Sequence, residues 1–454
     1  WTLAGGLLVA ALVSGAVLSL PVFWASPVTG QKLAQYAKHV VQCTFVATAA
    51  LTGTGLSPVE IGRDFSPAGH VLILVLMQLG GLAMLVVGGV AALRLQAALG
   101  WDDAELTTVR ARRFVLVVCV AALGLEALGA AATWRMWEVD RESAASRWLA
   151  SAFHSISALC NCGLTFKRDG LVAYADRLPT YLVILSLMLL GSLGGPTLWD
   201  LLRRRISRAS RITLIGSGVL VLVTAGLLVT IESTRRLQLR YPREDIPGRI
   251  DISATQSGTD VIVFSSETDR ARRERLAHQP VLRRAAAGLF QAVAARSGGT
   301  QVVRMDEASL APASRWVLSA AMVIGGAVGG TAGGVRILVV VVLLWCVFRP
   351  SRVDGAVARV IPTLASVAAV IVLLTAAGTL LLMYRETGSP EACFFEVVSA
   401  ACNVGFHTGT TPLISPEGRV TLVVVMVLGR ALPVAMLLRG LREVRRAEAD
   451  VQAG

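Results

Sequence analysis

The sequence predicts an all-α polytopic membrane protein made of four copies of one unit. Each unit is a spanning helix, a short re-entrant half-helix ending in a glycine turn, and a second spanning helix. Three observations carry this reading. Of the 454 residues, 54% are hydrophobic and 16% charged, the mean hydropathy is +0.64, and several apolar runs reach the roughly 20 residues that cross a bilayer. One turn recurs four times: Thr52-Gly53-Thr54-Gly55-Leu56, Cys160-Asn161-Cys162-Gly163-Leu164, Ser297-Gly298-Gly299-Thr300-Gln301 and Cys402-Asn403-Val404-Gly405-Phe406, with the glycines at 55, 163, 299 and 405 spaced 108, 136 and 106 residues apart. Each copy follows a short amphipathic segment rich in Phe, Ala and Ser and precedes a polar turn and a long apolar run.

The first unit is residues 1–100. It opens on an uncharged run, 3–24, read as a spanning helix because a signal peptide would show a basic n-region and a small-residue cleavage site. A chain opening on Trp1 is expected to have lost its initiator end. A polar linker, 25–37, precedes a half-helix at 39–51, too short to span at 1.5 Å per residue. Non-helical backbone at the turn is tolerated in a membrane only when buried in protein or lining water. The second spanning helix is 68–95, and Arg94, Arg110, Arg112 and Arg113 mark its exit side.

The second unit, 101–211, repeats the order with an outer helix at 114–134, a half-helix at 145–159 and a second helix at 181–202. That helix is interrupted by Gly191-Ser192-Leu193-Gly194-Gly195-Pro196. Arg203, Arg204, Arg205, Arg208 and Arg211 follow it, and the positive-inside rule makes that loop cytoplasmic. The third unit, 212–350, starts with a helix at 212–231 and then carries a polar, extracytoplasmic insertion at 232–280 whose single β-like run is 260–264. Its half-helix is 282–296. Its second span, 314–348, is broken by Gly325-Gly326-Ala327-Val328-Gly329-Gly330-Thr331-Ala332-Gly333-Gly334, because each glycine costs a helix about 1 kcal/mol relative to alanine. The fourth unit, 351–454, has an outer helix at 360–383, a half-helix at 390–401, a polar stretch at 407–416, a last helix at 417–438 and a basic tail. Eight spans place both termini on one side, and the arginines choose the cytoplasm.

This composition excludes several functions. The net charge of +13 reflects arginines at helix ends rather than a nucleic-acid surface. The seven cysteines have neither zinc-ribbon nor thioredoxin spacing. Cys160 and Cys402 stand at equivalent positions and read as packing behind the turns. His154 and His407 lie in different elements without acidic or cysteine partners and read as structural or surface residues. No Walker loop, Ser-His-Asp arrangement or HExxH is present.

The turns themselves carry a chemistry. A dehydrated cation needs several oxygens at fixed distance, and carbonyls on glycine turns can supply them. Four turns around one axis make a ring, and the half-helices would aim their negative C-terminal dipole ends at the ion. No turn contains Asp or Glu, which favours a monovalent over a divalent cation. Arg430 interrupts the last apolar helix about 13 residues in, roughly 20 Å deep. An intramembrane charge usually faces the protein interior or a water-filled path. It reads as a barrier below the ion site. The break at 325–334, with Gly325, Gly326, Gly329, Gly330, Thr331, Gly333 and Gly334, reads as its mobile partner, hydrogen-bonded to the guanidinium when closed. A small-residue packing surface is the alternative for the break.

These four turns resemble the filters of the Trk/Ktr/HKT superfamily of potassium transporters, most of all the bacterial Ktr/Trk membrane subunit. Gly325 to Arg336, Gly429-Arg430-Ala431-Leu432-Pro433, Asn161, Asn403 and Thr408-Gly409 extend the resemblance over nearly the whole chain except the insertion. The resemblance implies four helix–pore-loop–helix units with pseudo-fourfold symmetry around a central ion pore, with one filter glycine per unit: Gly55, Gly163, Gly299 and Gly405. It implies a gate from the third-unit loop and Arg430. It implies a homodimer in the bacterial inner membrane, seated on a cytoplasmic ring of nucleotide-binding subunits. The chain itself then carries no cofactor, potassium is its cargo, and nucleotide control comes only through that partner. The expected function is potassium uptake down the electrochemical gradient, with sodium coupling or sodium permeation as the alternative. Glycine at position 55 favours potassium, because related plant proteins with serine there tend to pass sodium. An intramembrane enzyme would need a nucleophile–base pair on facing spans, and none can be assembled. A non-conducting scaffold with a degenerate third turn is the remaining rival.

Overall fold

Long apolar runs become helices in a bilayer because a helix satisfies its own backbone where no water can. The structure, a computed structural model, describes residues 2–25, 33–101, 108–138, 143–240, 279–306, 309–352 and 355–453. The helices run α1 Thr2–Leu18, α2 Leu33–Thr52, α3 Pro67–Ala98, α4 Thr108–Thr133, α5 Ala144–Leu159, α6 Thr180–Leu202 and α7 Arg208–Arg240. They continue as α8 Val281–Val293, α9 Pro312–Val323, α10 Ile337–Phe348, α11 Gly355–Arg385, α12 Pro390–Ala401 and α13 Pro416–Ala453.

Among the described residues, six helices are long and apolar enough to cross a membrane, where the sequence suggests eight. The difference has a local cause. The described part of α1 is 17 residues. The third unit's second span is split into α9 and α10, 12 residues each, by the expected glycine-rich break. Two short parallel strands, β1 Ile324–Gly325 and β2 Val335–Arg336, pair across the mouth of that break.

Other boundaries shift. The first half-helix, α2, is 20 residues long rather than the 13 of positions 39–51, so length does not keep it from spanning. Its leading turns are polar instead, with Gln35 and Lys38 exposed. The last helix continues to Ala453 through the basic tail, and α7 continues to Arg240. The β-like run at 260–264 lies outside the described residues.

Packing follows a cyclic rule. Each outer helix lies on the half-helix that follows it: α1 on α2, α4 on α5, α7 on α8 and α11 on α12. The second helices reach across to the next unit: α3 to α5, α9 to α12, and α13 back to α2. Close approach needs glycine. A Cβ on Gly80, Gly191 or Gly429 would strike the carbonyl of Leu51, Leu159 or Ala401 at the end of a half-helix. The outward faces stay apolar and exposed, as at Leu116, Leu128, Leu222 and Leu380. Such a surface suits hydrocarbon rather than water, and the chain is a multi-pass membrane protein.

Candidate functional site

The half-helices end alike in three of the four turns. The residue before the last glycine donates its N–H five residues back: Thr54 to Ala49, Cys162 to Ser157 and Val404 to Ser399, each at 2.8 Å. One position just past each of these half-helices turns left-handed. Asn161 and Asn403 have φ of 49° and 48°, and Gly53 of the first turn has 63°. Asparagine tolerates this region better than most residues. Each asparagine is also tied down. Asn161 Nδ2 donates to Met188 O (3.2 Å) and Thr331 Oγ1 (2.7 Å). Asn403 Nδ2 donates to Met426 O (3.0 Å) and Thr54 Oγ1 (2.9 Å). In the first turn Thr52 Oγ1 lies 2.6 Å from Thr54 Oγ1 and caps Thr48 O.

The third turn is offset by one residue. Residues Ala294–Gly298 form a π turn, and Gly299 itself donates to Ala294 O at 3.1 Å. Gly298 is packed on Met188. Three residues before the last glycine, where the other turns have Thr52, Cys160 and Cys402, stands Arg296. It is buried, and its Nη2 donates to Ser217 Oγ on α7 at 2.9 Å.

The four last glycines close on one another in chain order. All have positive φ: 81° at Gly55, 78° at Gly163, 54° at Gly299 and 106° at Gly405. A Cβ on Gly55 would run into the Cys162 carbonyl and stand 3.0 Å from Gly163 Cα. On Gly163 it would stand 2.8 Å from Gly298 O and 2.9 Å from Gly299 Cα. On Gly299 it would meet the Val404 carbonyl, with Gly405 Cα at 3.0 Å, and on Gly405 the Thr54 carbonyl, with Gly55 Cα at 3.2 Å. Any side chain here clashes with the neighbouring turn and also strains the backbone. All four glycines line one small cavity, and among the described residues no carboxylate lines it.

On the half-helix side of this ring lies Arg430, 4% exposed on α13. Its Nη2 would be 3.4 Å from a Cβ on Gly53, beside the carbonyls of Cys160 and Asn161. None of its three guanidinium nitrogens has a hydrogen-bond partner in the structure. The hydrogen bond expected from Arg430 to the glycine-rich loop is therefore not made here. Arg336, just after the loop, makes it instead: Nη1 donates to Ala327 O (3.2 Å) and Gly330 O (3.4 Å). Arg336 follows the loop directly and reaches back along it, while Arg430 points at the turns.

The loop is woven into the break in α6. Gly194 is non-helical there, with φ 78° and ψ 161°. Ala327 N donates to Ser192 O (2.8 Å), Thr331 N to Gly191 O (3.2 Å) and Gly195 N to Gly329 O (3.1 Å). Glycines 329 and 334 are left-handed. Gly333 lies against the Cys402 carbonyl and Asn403, and Thr331 Oγ1 donates to Leu159 O at 3.1 Å. The loop thus touches the second and fourth turns from beneath.

A family model described as "TrkH: Cation transport protein" matches residues 258–356. The chain is 26% identical to the Ktr system potassium uptake protein B of Vibrio alginolyticus, over 94% of this chain and 87% of that protein. It is also 26% identical to the potassium/sodium uptake protein NtpJ of Enterococcus hirae, over 99% and 94%. The fold is that of the crystal structure of the potassium transporter TrkH from Vibrio parahaemolyticus, with a TM-score of 0.65 at 17% identity, covering 96% of this chain and 84% of that one. Over nearly its whole length the chain is similar to bacterial Ktr and NtpJ cation uptake proteins. Trk/Ktr/HKT proteins are ion transporters rather than enzymes. Among the described residues no group of three His, Cys, Asp or Glu side chains could hold a metal.

Several residues beside this turn cluster escape the sequence reading. Glu396, buried in α12, accepts from Thr408 N (3.1 Å), Thr410 Oγ1 (2.8 Å) and Thr411 Oγ1 (2.7 Å), so it fixes the chain leaving the fourth turn. Glu126, buried in α4, accepts from Gln78 Nε2 (3.3 Å) and lies behind the second turn, 3.6 Å from Cys160 Sγ. A lone acid in an otherwise apolar run is the signal that marks both. Of the two histidines, His154 is buried while His407 lines the cavity of the four glycines. His154 is stacked on Trp137 at 4.0 Å, and His407 Nε2 meets Arg168 O at 3.1 Å. Cys160 fits against Gly81, in keeping with a packing role.

Proposed function

We propose that the chain carries out potassium uptake, passing a dehydrated monovalent cation through a filter of backbone carbonyls from four turns. In this reading each unit contributes one helix–pore-loop–helix, with boundaries near 100, 211 and 350. The filter residues are Thr52 to Gly55, Cys160 to Gly163, Ser297 to Gly299, and Cys402 to Gly405. The observation that carries it is the closed seam of left-handed glycines, 55 to 163 to 299 to 405 and back to 55, with a neighbouring carbonyl where each Cβ would be. The cyclic packing of second helices on half-helices supports a pseudo-fourfold arrangement. Two relatives whose names state potassium uptake or potassium and sodium uptake support the cargo.

The gate in this reading is the 325–334 loop with Arg430. The loop's lack of regular helix allows movement, and an unpartnered guanidinium under the filter repels cations. An inside-negative potential supplies about 2.3 kcal/mol per charge per 100 mV, enough to drive entry without chemistry in this chain. Both termini lie in the cytoplasm by the positive-inside rule. A homodimer on a separate nucleotide-binding ring would supply regulation, as the relatives' designation as parts of a Ktr system suggests.

A sodium-permeable transporter is the second reading, favoured by the one-residue offset of the third turn. Potassium and sodium uptake into liposomes separates them. The wild-type chain should prefer potassium, and Gly55→Ser should lower that preference, because its side chain meets the Cys162 carbonyl. A folded Gly55→Ser variant with an unchanged permeability ratio would place Gly55 outside the filter.

A further inference from the structure

The two asparagines of the turns are held alike, with one difference. Each donates from Nδ2 to its own unit's second helix, Asn161 to Met188 O (3.2 Å) and Asn403 to Met426 O (3.0 Å). Each also has a longer contact to a carbonyl near the end of its own half-helix, at 3.5 Å to Leu159 O and 3.4 Å to Ala400 O. Asn403 then reaches the next turn of the ring, at Thr54 Oγ1 (2.9 Å). Thr54 stands immediately before Gly55. For Asn161 the next turn of the ring is the third, and the residue immediately before Gly299 is Gly298, which has no side chain to accept with. Thr300, just beyond Gly299, turns its hydroxyl back to Gly298 O at 3.1 Å. Asn161 Nδ2 goes instead to Thr331 Oγ1 of the glycine-rich loop, at 2.7 Å.

Thr331 is placed to hold the turn rather than merely to touch it. Its hydroxyl accepts from Asn161 and donates to Leu159 O, the last residue of the second half-helix, at 3.1 Å. One oxygen thus ties the turn to the helix that leads into it. The Thr331 N–H is bound in turn to Gly191 O in the break of α6 at 3.2 Å, which fixes the loop at this point. Thr331 and Asn161 are both fully buried, so the amide has no bulk water to turn to if the hydroxyl is removed. Asn161 sits at φ 49°, two residues before Gly163. A residue other than glycine keeps that conformation only where its surroundings hold it. The carbonyls on either side of Asn161 stand where this held backbone puts them.

We infer that Thr331 is a specificity-determining residue: the loop gives the second turn the acceptor that the third turn, at Gly298, lacks, and so sets how sharply the filter tells potassium from sodium. This rests on the transport reading above. The loop is thereby part of the filter's scaffold as well as of the gate. Selectivity in a ring of carbonyls depends on where the oxygens stand and how freely they shift. A second turn released at Asn161 lets its carbonyls close on the smaller ion, so sodium gains relative to potassium.

The test is initial uptake of potassium and of sodium, measured separately for the full chain in liposomes and read as their ratio. Thr331→Val keeps the shape and drops the hydroxyl, and should lower the potassium-to-sodium ratio on the order of 3- to 10-fold. Thr331→Ser restores the hydroxyl and should return the ratio to wild type. Asn161→Gly breaks the same link from the other end without strain at positive φ. It should lower the ratio similarly, and it keeps the test open if Thr331→Val does not fold. The double variant should fall no further than either single one, as expected for partners in one interaction. A folded Thr331→Val or Asn161→Gly variant with the wild-type ratio overturns the inference, even if both uptakes rise together, since the loop is then a gate alone. So does a serine variant as unselective as the valine one, or a double variant whose loss is the product of the two single losses. Wild-type flux without preference for potassium overturns the inference and leaves transport standing. Wild-type liposomes with no cation flux overturn the transport reading itself, and the inference with it.

Discussion

Replacing Arg430 by glutamine removes one charge from a place where charge is poorly compensated. The guanidinium is 4% exposed, and its three nitrogens have no hydrogen-bond partner. It stands beside the carbonyls of Cys160 and Asn161, where Gly53 leaves room for it. At an effective dielectric constant near 20, a cation about 5–10 Å from such a charge is repelled by roughly 2–3 kcal/mol. The lower figure corresponds to a factor of about 30 in passage. Arg430→Gln should therefore raise potassium uptake into liposomes about tenfold or more, and Arg430→Lys should leave it near wild type. Thermal stability should not fall, because a buried charge without partners is itself destabilising. A folded Arg430→Gln variant with wild-type uptake would refute the argument, as would an equal rise in Arg430→Lys. The barrier would then lie in the loop held by Arg336, or at the offset third turn.

Two further outcomes follow from the geometry and the family. Thr331→Val deletes the acceptor of Asn161 Nδ2 and the donor to Leu159 O, so it should cost about 1–3 kcal/mol. A calorimetric midpoint below wild type, together with raised basal uptake from a loop untied from the second turn, is the expected result; no change in either would mean the link is idle. The purified chain should be a dimer by mass photometry in mild detergent and should retain a cytoplasmic nucleotide-binding ring in pull-down. A monomer without such a partner would count against the assembly.

Hydropathy and spacing were enough to read the membrane class, the later half-helices and the four glycine turns, though not the 20-residue length of the first half-helix. These rest on local properties: run length, glycine's access to positive φ, and the expense of charge in hydrocarbon. The half-helix at Pro390–Ala401 was placed to the residue, since Pro390 at its start and the glycine turn at its end are both local stops. Tertiary packing decided the rest. Arg336 and Arg430 look alike in sequence, yet only the fold shows that one holds the loop and the other faces the turns. Glu396 gains its role from threonines that return to it after the turn. Residues 166–170 read as an ordinary polar loop, because their anchors at Gly62, Gln301 and His407 come from three other units. The sequence by itself determined which backbone can bend and which segments must be buried. Arg336 and Glu396 find their partners within their own units, but the contacts between turns were settled only when the four units closed on one another, because they join residues more than a hundred positions apart.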